Sequence, residues 1–390
     1  MKILHLTSSM NPKGGGVCQA IRDIIYGISL IDNNIVNEVV CLDNADEYFL
    51  KQDIFKIHAL GKGKTSWNYN KNLFRWLEKN IENYDKTIVH GLWQYQSYAV
   101  YSLWEKRTFQ YFVMPHGMLD PYFQLAKERK LKALRNELFW DIIEKKLVNN
   151  ASALLFTCEE EKLLAKKTFT NYFPKKEQVV GLGIDSPPPF FEKMTTAFTE
   201  KVPQWNRKQF ILFLSRIHKK KGIDLLIQTY NKLQTEILHL PQLIIAGPVE
   251  SDYALEMQKL AQNNKNILFA GMLSGDAKWG AFYNCECFVL PSHQENFGIA
   301  IVEAMACRKP VLITNKVNIW REIESGSGGL VANDTEEEIY KQLKTFLFLS
   351  EKEKTQMGEN AFCAYQKYFS IEKAAEKMIE ALCFMNKTSK

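Results

Sequence analysis

One stretch restricts this chain more than any other: Leu290-Pro-Ser-His-Gln-Glu-Asn-Phe-Gly-Ile-Ala-Ile-Val-Glu-Ala-Met-Ala-Cys-Arg-Lys-Pro310. Before it, Cys287-Phe-Val-Leu290 reads as a short buried strand that ends at a proline. After Gly298, residues Ile299, Ile301, Val302 and Met305 set apolar side chains on a helix. Strand, polar loop, glycine, helix is the turn at which open α/β sheets bind phosphorylated ligands, because free amides and the positive helix end face the ligand. Glu295 in the loop and Glu303 in the helix bracket the turn, with seven residues between them. A carboxylate accepts two hydrogen bonds from vicinal hydroxyls, which suits Glu303 to a ribose and Glu295 to a sugar ring. The spacing of two glutamates alone would equally suit a solvated helix face.

The same alternation of strand and helix recurs along 390 residues, a length that suits two domains. Ile3–Leu6, Glu38–Leu42, Thr87–His90, Tyr111–Met114, Ala153–Cys158 and a stretch from Gln178 read as strands of a first array. Phe210–Leu214, Leu243–Pro248, Asn266–Gly271, Cys287–Leu290, Pro310–Thr314 and Gly329–Val331 form a second. Alternating strands and helices imply parallel sheets, with functional groups at the carboxyl ends of the strands. Three features sit at such ends. Gly14-Gly15-Gly16 precedes the first helix and lets a backbone approach a ligand closely, although flexible loops look the same. His90-Gly91 and His116-Gly117 close successive strands, and two histidines so placed favour a site over a structural role. Arg216 and Lys221, with Gly222 opening a helix, offer the bidentate fork and the point charge that a diphosphate requires, or form an ordinary basic loop.

The segment 121–148 has the pattern of one long helix. Its Phe123, Leu131, Leu134, Leu138, Ile142 and Leu147 are expected to pack on the sheet while lysines and arginines meet water, with a membrane-facing role as the second reading. The three prolines at 187–189 and the polar stretch to Arg207 read as a linker.

The charge of +6 comes without a zinc finger, helix-turn-helix or RNA-binding motif, so nucleic acid is not expected and an anionic substrate or anionic membrane surface accounts for it better. The eight cysteines are scattered and read as reduced thiols; Cys285-x-Cys287 lacks a second pair for zinc. The apolar run after Met1 is too short for a signal peptide, and no run of about 18 apolar residues occurs. A cytoplasmic location, at the inner face of the plasma membrane, is the expectation.

The Glu-x7-Glu pair in the frame Leu-Pro-Ser-x-x-Glu-Asn-Phe-Gly resembles the donor-site signature of family 4 retaining glycosyltransferases. The two His-Gly turns resemble a subset of that family that builds bacterial surface polysaccharides. Arg-x4-Lys-Gly matches as well, with Ser215 where the family has glycine, whereas Leu182-Gly183 replaces the usual asparagine-glycine. The resemblance spans nearly the whole chain and is loosest over 31–86 and 186–207. It implies a GT-B fold of class α/β, two Rossmann-like parallel-sheet domains facing across a cleft: residues 1–186 with 369–390 on the acceptor side, a linker at 187–207, and 208–368 for the nucleotide sugar. It implies a retaining transferase that moves a hexose from a UDP- or GDP-sugar to a growing glycan, such as a lipid-linked one. His116 would contact the donor sugar, Arg216 and Lys221 the diphosphate, Glu295 the hexose and Glu303 the ribose. Gly15 and Gly16 would lie across from the phosphates, Met272 and Leu273 at the nucleobase, and Asn296, Phe297, Gly298 and Ile299 would offer amides and side chains to the donor. No metal and no obligatory cofactor are expected, since side chains can neutralise the diphosphate. The alternatives are a nucleotide-sugar epimerase of the same fold and a non-catalytic nucleotide-sugar-binding protein.

Overall fold

The computed structural model describes residues 1–126 and 129–383. The chain divides into two compact units, Met1–Gly183 together with Ile371–Lys390, and Ile184–Ser370.

In the first unit, the described residues form a sheet of seven parallel strands. These are β1 (Lys2–Leu6), β2 (Val36–Cys41), β3 (Lys56–Ala59), β4 (Lys86–His90), β5 (Tyr111–Met114), β6 (Ala153–Phe156) and β7 (Glu177–Val179), in the order β3-β2-β1-β4-β5-β6-β7. The inner strands are apolar on both faces, as strands covered by helices on both sides must be: Ile3 and Leu4, Ile88 and Val89, Phe112 and Val113 are all buried. The helix Gly16–Ile31 buries Ile21, Ile24, Ile25 and Ile28, at helical spacing, and the last helix, Ile371–Cys383, packs against it.

The second unit holds six parallel strands among its described residues: β8 (Phe210–Leu214), β9 (Gln242–Ala246), β10 (Ile267–Gly271), β11 (Cys287–Leu290), β12 (Val311–Thr314) and β13 (Gly329–Ala332). Their order is β10-β9-β8-β11-β12-β13. In each sheet the winding reverses between two neighbouring strands, β1 and β4 in the first and β8 and β11 in the second. That reversal opens a crevice beyond the carboxyl ends of those strands.

Three expectations are corrected. β3 was not anticipated: Lys-Ile-His-Ala at a sheet edge has no apolar run to announce it. The stretch 187–207 is not a linker. It contains the helix Glu192–Lys201, which buries Met194 and Phe198 against the helix Gly275–Asn284, with Trp205 also buried. Apolar side chains spaced through a polar segment outweigh its three prolines.

The third correction concerns 121–148. Lys127 and Glu128 lie outside the described residues, and the rest comprises the helices Tyr122–Leu125, Lys130–Phe139 and Lys145–Asn150, the last two joined by a π-turn at Trp140–Glu144. Its buried face carries Asn136, Trp140, Glu144 and Leu147. Trp140 stacks on Phe169 at 4.7 Å and donates its indole N–H to the Thr170 carbonyl at 2.8 Å. The apolar stripe expected against the sheet faces outward instead: Leu131, Leu134, Leu138 and Ile142 are 86%, 71%, 57% and 56% exposed. Replacing Trp140 with Ala should therefore cost about 3–5 kcal/mol of unfolding free energy. Leu134→Ser should stay within about 0.5 kcal/mol. Urea titrations of both variants read the difference, and equal losses would return the stripe to the core.

Candidate functional site

At the reversal in the second sheet, the loop after β8 and the loop after β11 touch backbone to backbone. Gly222 has φ +62°, and a Cβ there would sit 1.9 Å from the carbonyl oxygen of Pro291. The His293 amide donates to the Lys220 carbonyl at 2.8 Å. This close approach brings the Lys221 ammonium onto the Glu295 carboxylate as an ion pair. Glu295 is also fixed from behind, its amide donating to the Lys316 carbonyl and its carbonyl accepting from the Asn318 amide, both at 2.9 Å. Gly298, at φ +78°, caps the helix Ile299–Ala306, whose free first-turn amides begin there. Phe297 is buried edge-on to Phe369 at 5.7 Å, and Asn296 accepts from the Asn318 side chain at 3.2 Å.

Arg216 is exposed and, among the described residues, has no partner. With Lys219, Lys220 and Lys221 it surrounds His218, whose pKa is lowered by partial burial and by these cations. Glu303 projects from the first turns of its helix and pairs with Lys278 at 2.8 Å, leaving its second oxygen without a partner among the described residues. Met272 is exposed and Leu273 buried at the turn after β10. The second unit thus brings together Lys221 and Glu295 and places Arg216, Gly298, Ile299 and Glu303 on the elements around the same reversal.

The reversal in the first sheet has different chemistry. Thr7, Ser8, Gly15, His90, Gly91 and Met118 are among the residues lining a cavity of about 210 Å³ beyond β1 and β4. Gly14 and Gly15 line this cavity; Gly16 begins the helix beside it. His90 Nδ1 lies 2.9 Å from His116 Nε2, and His90 Nε2 lies 3.0 Å from His5 Nδ1. Burial pushes His5 and His116 down to about 4 and His90 well below the ordinary histidine value, so all three are neutral at pH 7. His116 sits at φ +53°, a left-handed conformation that a non-glycine residue holds only when its surroundings impose it. The buried carboxylate of Glu161 holds the next residue, Gly117. Glu161 accepts from the Gly117 amide at 2.5 Å, the Thr157 amide at 2.7 Å and the Thr157 hydroxyl at 2.6 Å.

Sequence reasoning missed Lys278, Glu161 and His5. Lys278 lies on a helix beside Trp279, where a lysine reads as a solvated residue. Glu161 reads as a charge suited to a helix start. His5 gave one signal, a histidine inside an otherwise apolar strand. Among the described residues, no group of three or more His, Cys, Asp or Glu is arranged to hold a metal ion. No helix among them is long and apolar enough to cross a membrane.

Solved structures share this architecture over the whole chain. The UDP- and glucose-bound Alr3699/HepE of Anabaena aligns at TM-score 0.74 with 18% identity, covering 98% of this chain and 99% of that one. A glycosyltransferase from Rickettsia africae aligns at TM-score 0.77 with 16% identity, covering 100% and 99%. The fold is GT-B. Residues 196–363 match the family model Glycosyl transferases group 1. Curated relatives include the serotype-specific mannosyltransferase WbdA of Escherichia coli, 31% identical over 27% of this chain and 14% of its own length. The D-rhamnosyltransferase WbpZ of Pseudomonas aeruginosa is 24% identical over 51% of each. The chain spans about half or less of the length of the curated relatives it matches, from 13% to 51%.

The neutral histidines make stability depend on pH in a stated direction. A free histidine titrates near 6.5, so between pH 6.5 and about 4 the unfolded chain binds protons that the folded His5 does not. The contribution is complete above pH 6.5 and is lost as the pH falls towards 4. Thermal midpoints of the wild type and His5→Gln, taken from pH 7.5 to 4, should converge as the pH drops; a constant gap would contradict a neutral buried His5.

Proposed function

We propose that this chain is a retaining glycosyltransferase of the family 4 type. It moves a hexose from a UDP- or GDP-sugar to a growing glycan in cell-surface polysaccharide biosynthesis. The observation that carries the reading is the Lys221–Glu295 pair at the sheet reversal, beside the exposed Arg216 and the capped helix at Gly298. Those are a diphosphate's cations and amides set next to a carboxylate able to accept from sugar hydroxyls. The names of its relatives, mannosyl- and rhamnosyltransferases, and a neighbour bound to UDP and glucose agree with it.

In this reading Arg216, Lys221 and the amides from Gly298 and Ile299 meet the charge that grows on the departing diphosphate, where fixed donors count most. Glu303, oriented by Lys278, accepts from the ribose hydroxyls through its open oxygen. Glu295 holds the hexose, and the Met272–Leu273 turn borders the base. The acceptor hydroxyl attacks the anomeric carbon on the face that the diphosphate leaves. Its proton passes to the leaving phosphate oxygen, so configuration is retained without a protein nucleophile. The charge is met by side chains, and no metal is assigned.

Thermal shift against UDP-, GDP- and ADP-sugars tests the donor. A ligand at about 100 times its dissociation constant adds roughly 2.7 kcal/mol to the folded state. One nucleotide class should stabilise the protein, and Glu303→Ala should abolish that shift. Transfer by Glu303→Ala or Lys221→Ala should fall on the order of 10²-fold. Wild-type rates in both variants would sink the assignment, and sugar interconversion without an acceptor would redirect it to an epimerase.

The acceptor side of the reading includes peripheral contact with a membrane that carries a lipid-linked glycan. The outward stripe of Leu131, Leu134, Leu138 and Ile142 lies with Lys130, Lys132 and Arg135 on the same exposed helix. That combination suits an anionic lipid surface at its cytoplasmic face. The protein should float with vesicles containing anionic phospholipid and remain behind with neutral ones, and the double variant Leu134→Asp/Leu138→Asp should lose flotation while keeping its donor-induced thermal shift. Equal flotation of the variant would remove the membrane from the proposal.

A further inference from the structure

Three imidazoles from three neighbouring strand ends stand in file in the first unit. His5 lies in β1, His90 closes β4, and His116 follows β5. Their ring centroids are 5.3 and 5.2 Å apart, and the nitrogens between them are 3.0 and 2.9 Å apart. His5 and His90 are buried and His116 is half-buried, so the file has one inner and one outer end. At the inner end, His5 Nε2 lies 3.0 Å from Asn37 Oδ1 on β2.

A hydrogen bond between two imidazole nitrogens holds one proton, so fixing one ring fixes the next. The Asn37 amide group donates to the Ile35 carbonyl at 3.4 Å, which turns its oxygen towards His5. His5 must then carry its proton on Nε2 and accept at Nδ1. His90 donates from Nε2 to His5 and accepts at Nδ1. His116 donates from Nε2 to His90, and its Nδ1 is left as a bare lone pair with no protein partner among the described residues. A second proton on His5 or His90 would place two protons between one pair of nitrogens and break the file.

We propose that Asn37, His5 and His90 are positioning residues that fix His116 in the Nε2–H tautomer, which keeps its Nδ1 an acceptor for a sugar hydroxyl. A neutral acceptor of this kind selects a hydroxyl donor and rejects a phosphate oxygen, which has no proton to offer. The strained backbone at His116, clamped through Gly117 by Glu161, and the stacked file give the ring one orientation and one protonation pattern. The sugar-facing part of this inference rests on the transferase reading; the tautomer does not.

Long-range ¹H–¹⁵N correlation spectra of the ¹⁵N-histidine-labelled full-length protein report the tautomer without any substrate. In the wild type His116 Nδ1 should appear as an unprotonated nitrogen and Nε2 as a protonated one; a proton on Nδ1 overturns the proposal. Asn37→Leu, which removes the inner acceptor, should move both His116 resonances towards a tautomer average, and Asn37→Asp, which keeps an acceptor, should restore them. Unchanged His116 signals in Asn37→Leu overturn the file as the controlling element, and if that variant does not fold, the wild-type spectrum still decides. In transfer assays Asn37→Leu should lower kcat/KM by roughly tenfold to a hundredfold, the range for groups that orient a functional histidine through its second nitrogen. The affinity for free nucleoside diphosphate should stay unchanged and Asn37→Asp should recover the loss. A fixed tautomer with unaltered kcat/KM would overturn the role towards sugar alone, whereas absence of any nucleotide binding would overturn the transferase reading and leave the tautomer result standing.

Discussion

The second unit's site depends on one backbone contact, Gly222 pressed against the carbonyl of Pro291. Any side chain at 222 would hold the two loops apart, and Lys221 would no longer reach Glu295. The resulting ion pair lies in a largely buried position, where the desolvation of two charges offsets most of their attraction. Such a pair adds little to stability, yet removing one partner alone costs about 3–5 kcal/mol because the other is left stranded. The pair holds a cation and a carboxylate at fixed positions. Lys278 does the same for Glu303, occupying one oxygen and aiming the other.

Much of this was legible in the sequence because β8 and β11 are continuous apolar runs that end in chemically distinctive turns. Their residue types announced both the strands and the groups at their ends. The first unit was harder to read. β3 is an edge strand with half-buried positions, and such strands lack the hydrophobic signal of a doubly covered one. His5 could not be joined to His90 from sequence, since 85 residues separate them and only the order β2-β1-β4-β5 makes them neighbours. Lys278 and Glu161 carry no signal of their own. Each matters through a partner that tertiary structure supplies, and spacing along the chain cannot reveal such a partner.

The helical region from 130 to 150 shows a different limit. Periodicity detects an apolar stripe but does not say which side of the helix the protein covers. Here the opposite side holds Trp140, and a single buried tryptophan removes on the order of 150–250 Å² from water. Once that ring stacks on Phe169, the helix is rotated so that the leucine stripe points outward. Four large aliphatic side chains then remain in contact with water, together with basic neighbours, on one helix.

The two sheet reversals therefore differ in kind. That of the second unit is polar and charged: an exposed Arg216, a lysine–carboxylate pair, and the amides of a helix start. That of the first is uncharged, its histidines kept neutral by burial and its walls built of hydroxyls, glycines and imidazole. An anion alone would be served by the second and repelled by nothing in the first; a plain sugar would find acceptors but no use for the cations. On the proposed reading, the charged set suits a diphosphate and the uncharged set suits the hydroxyls of a sugar. On that reading the neutrality of the histidine file decides what the first unit accepts, because an imidazolium in place of His116 would turn a hydroxyl acceptor into a phosphate site.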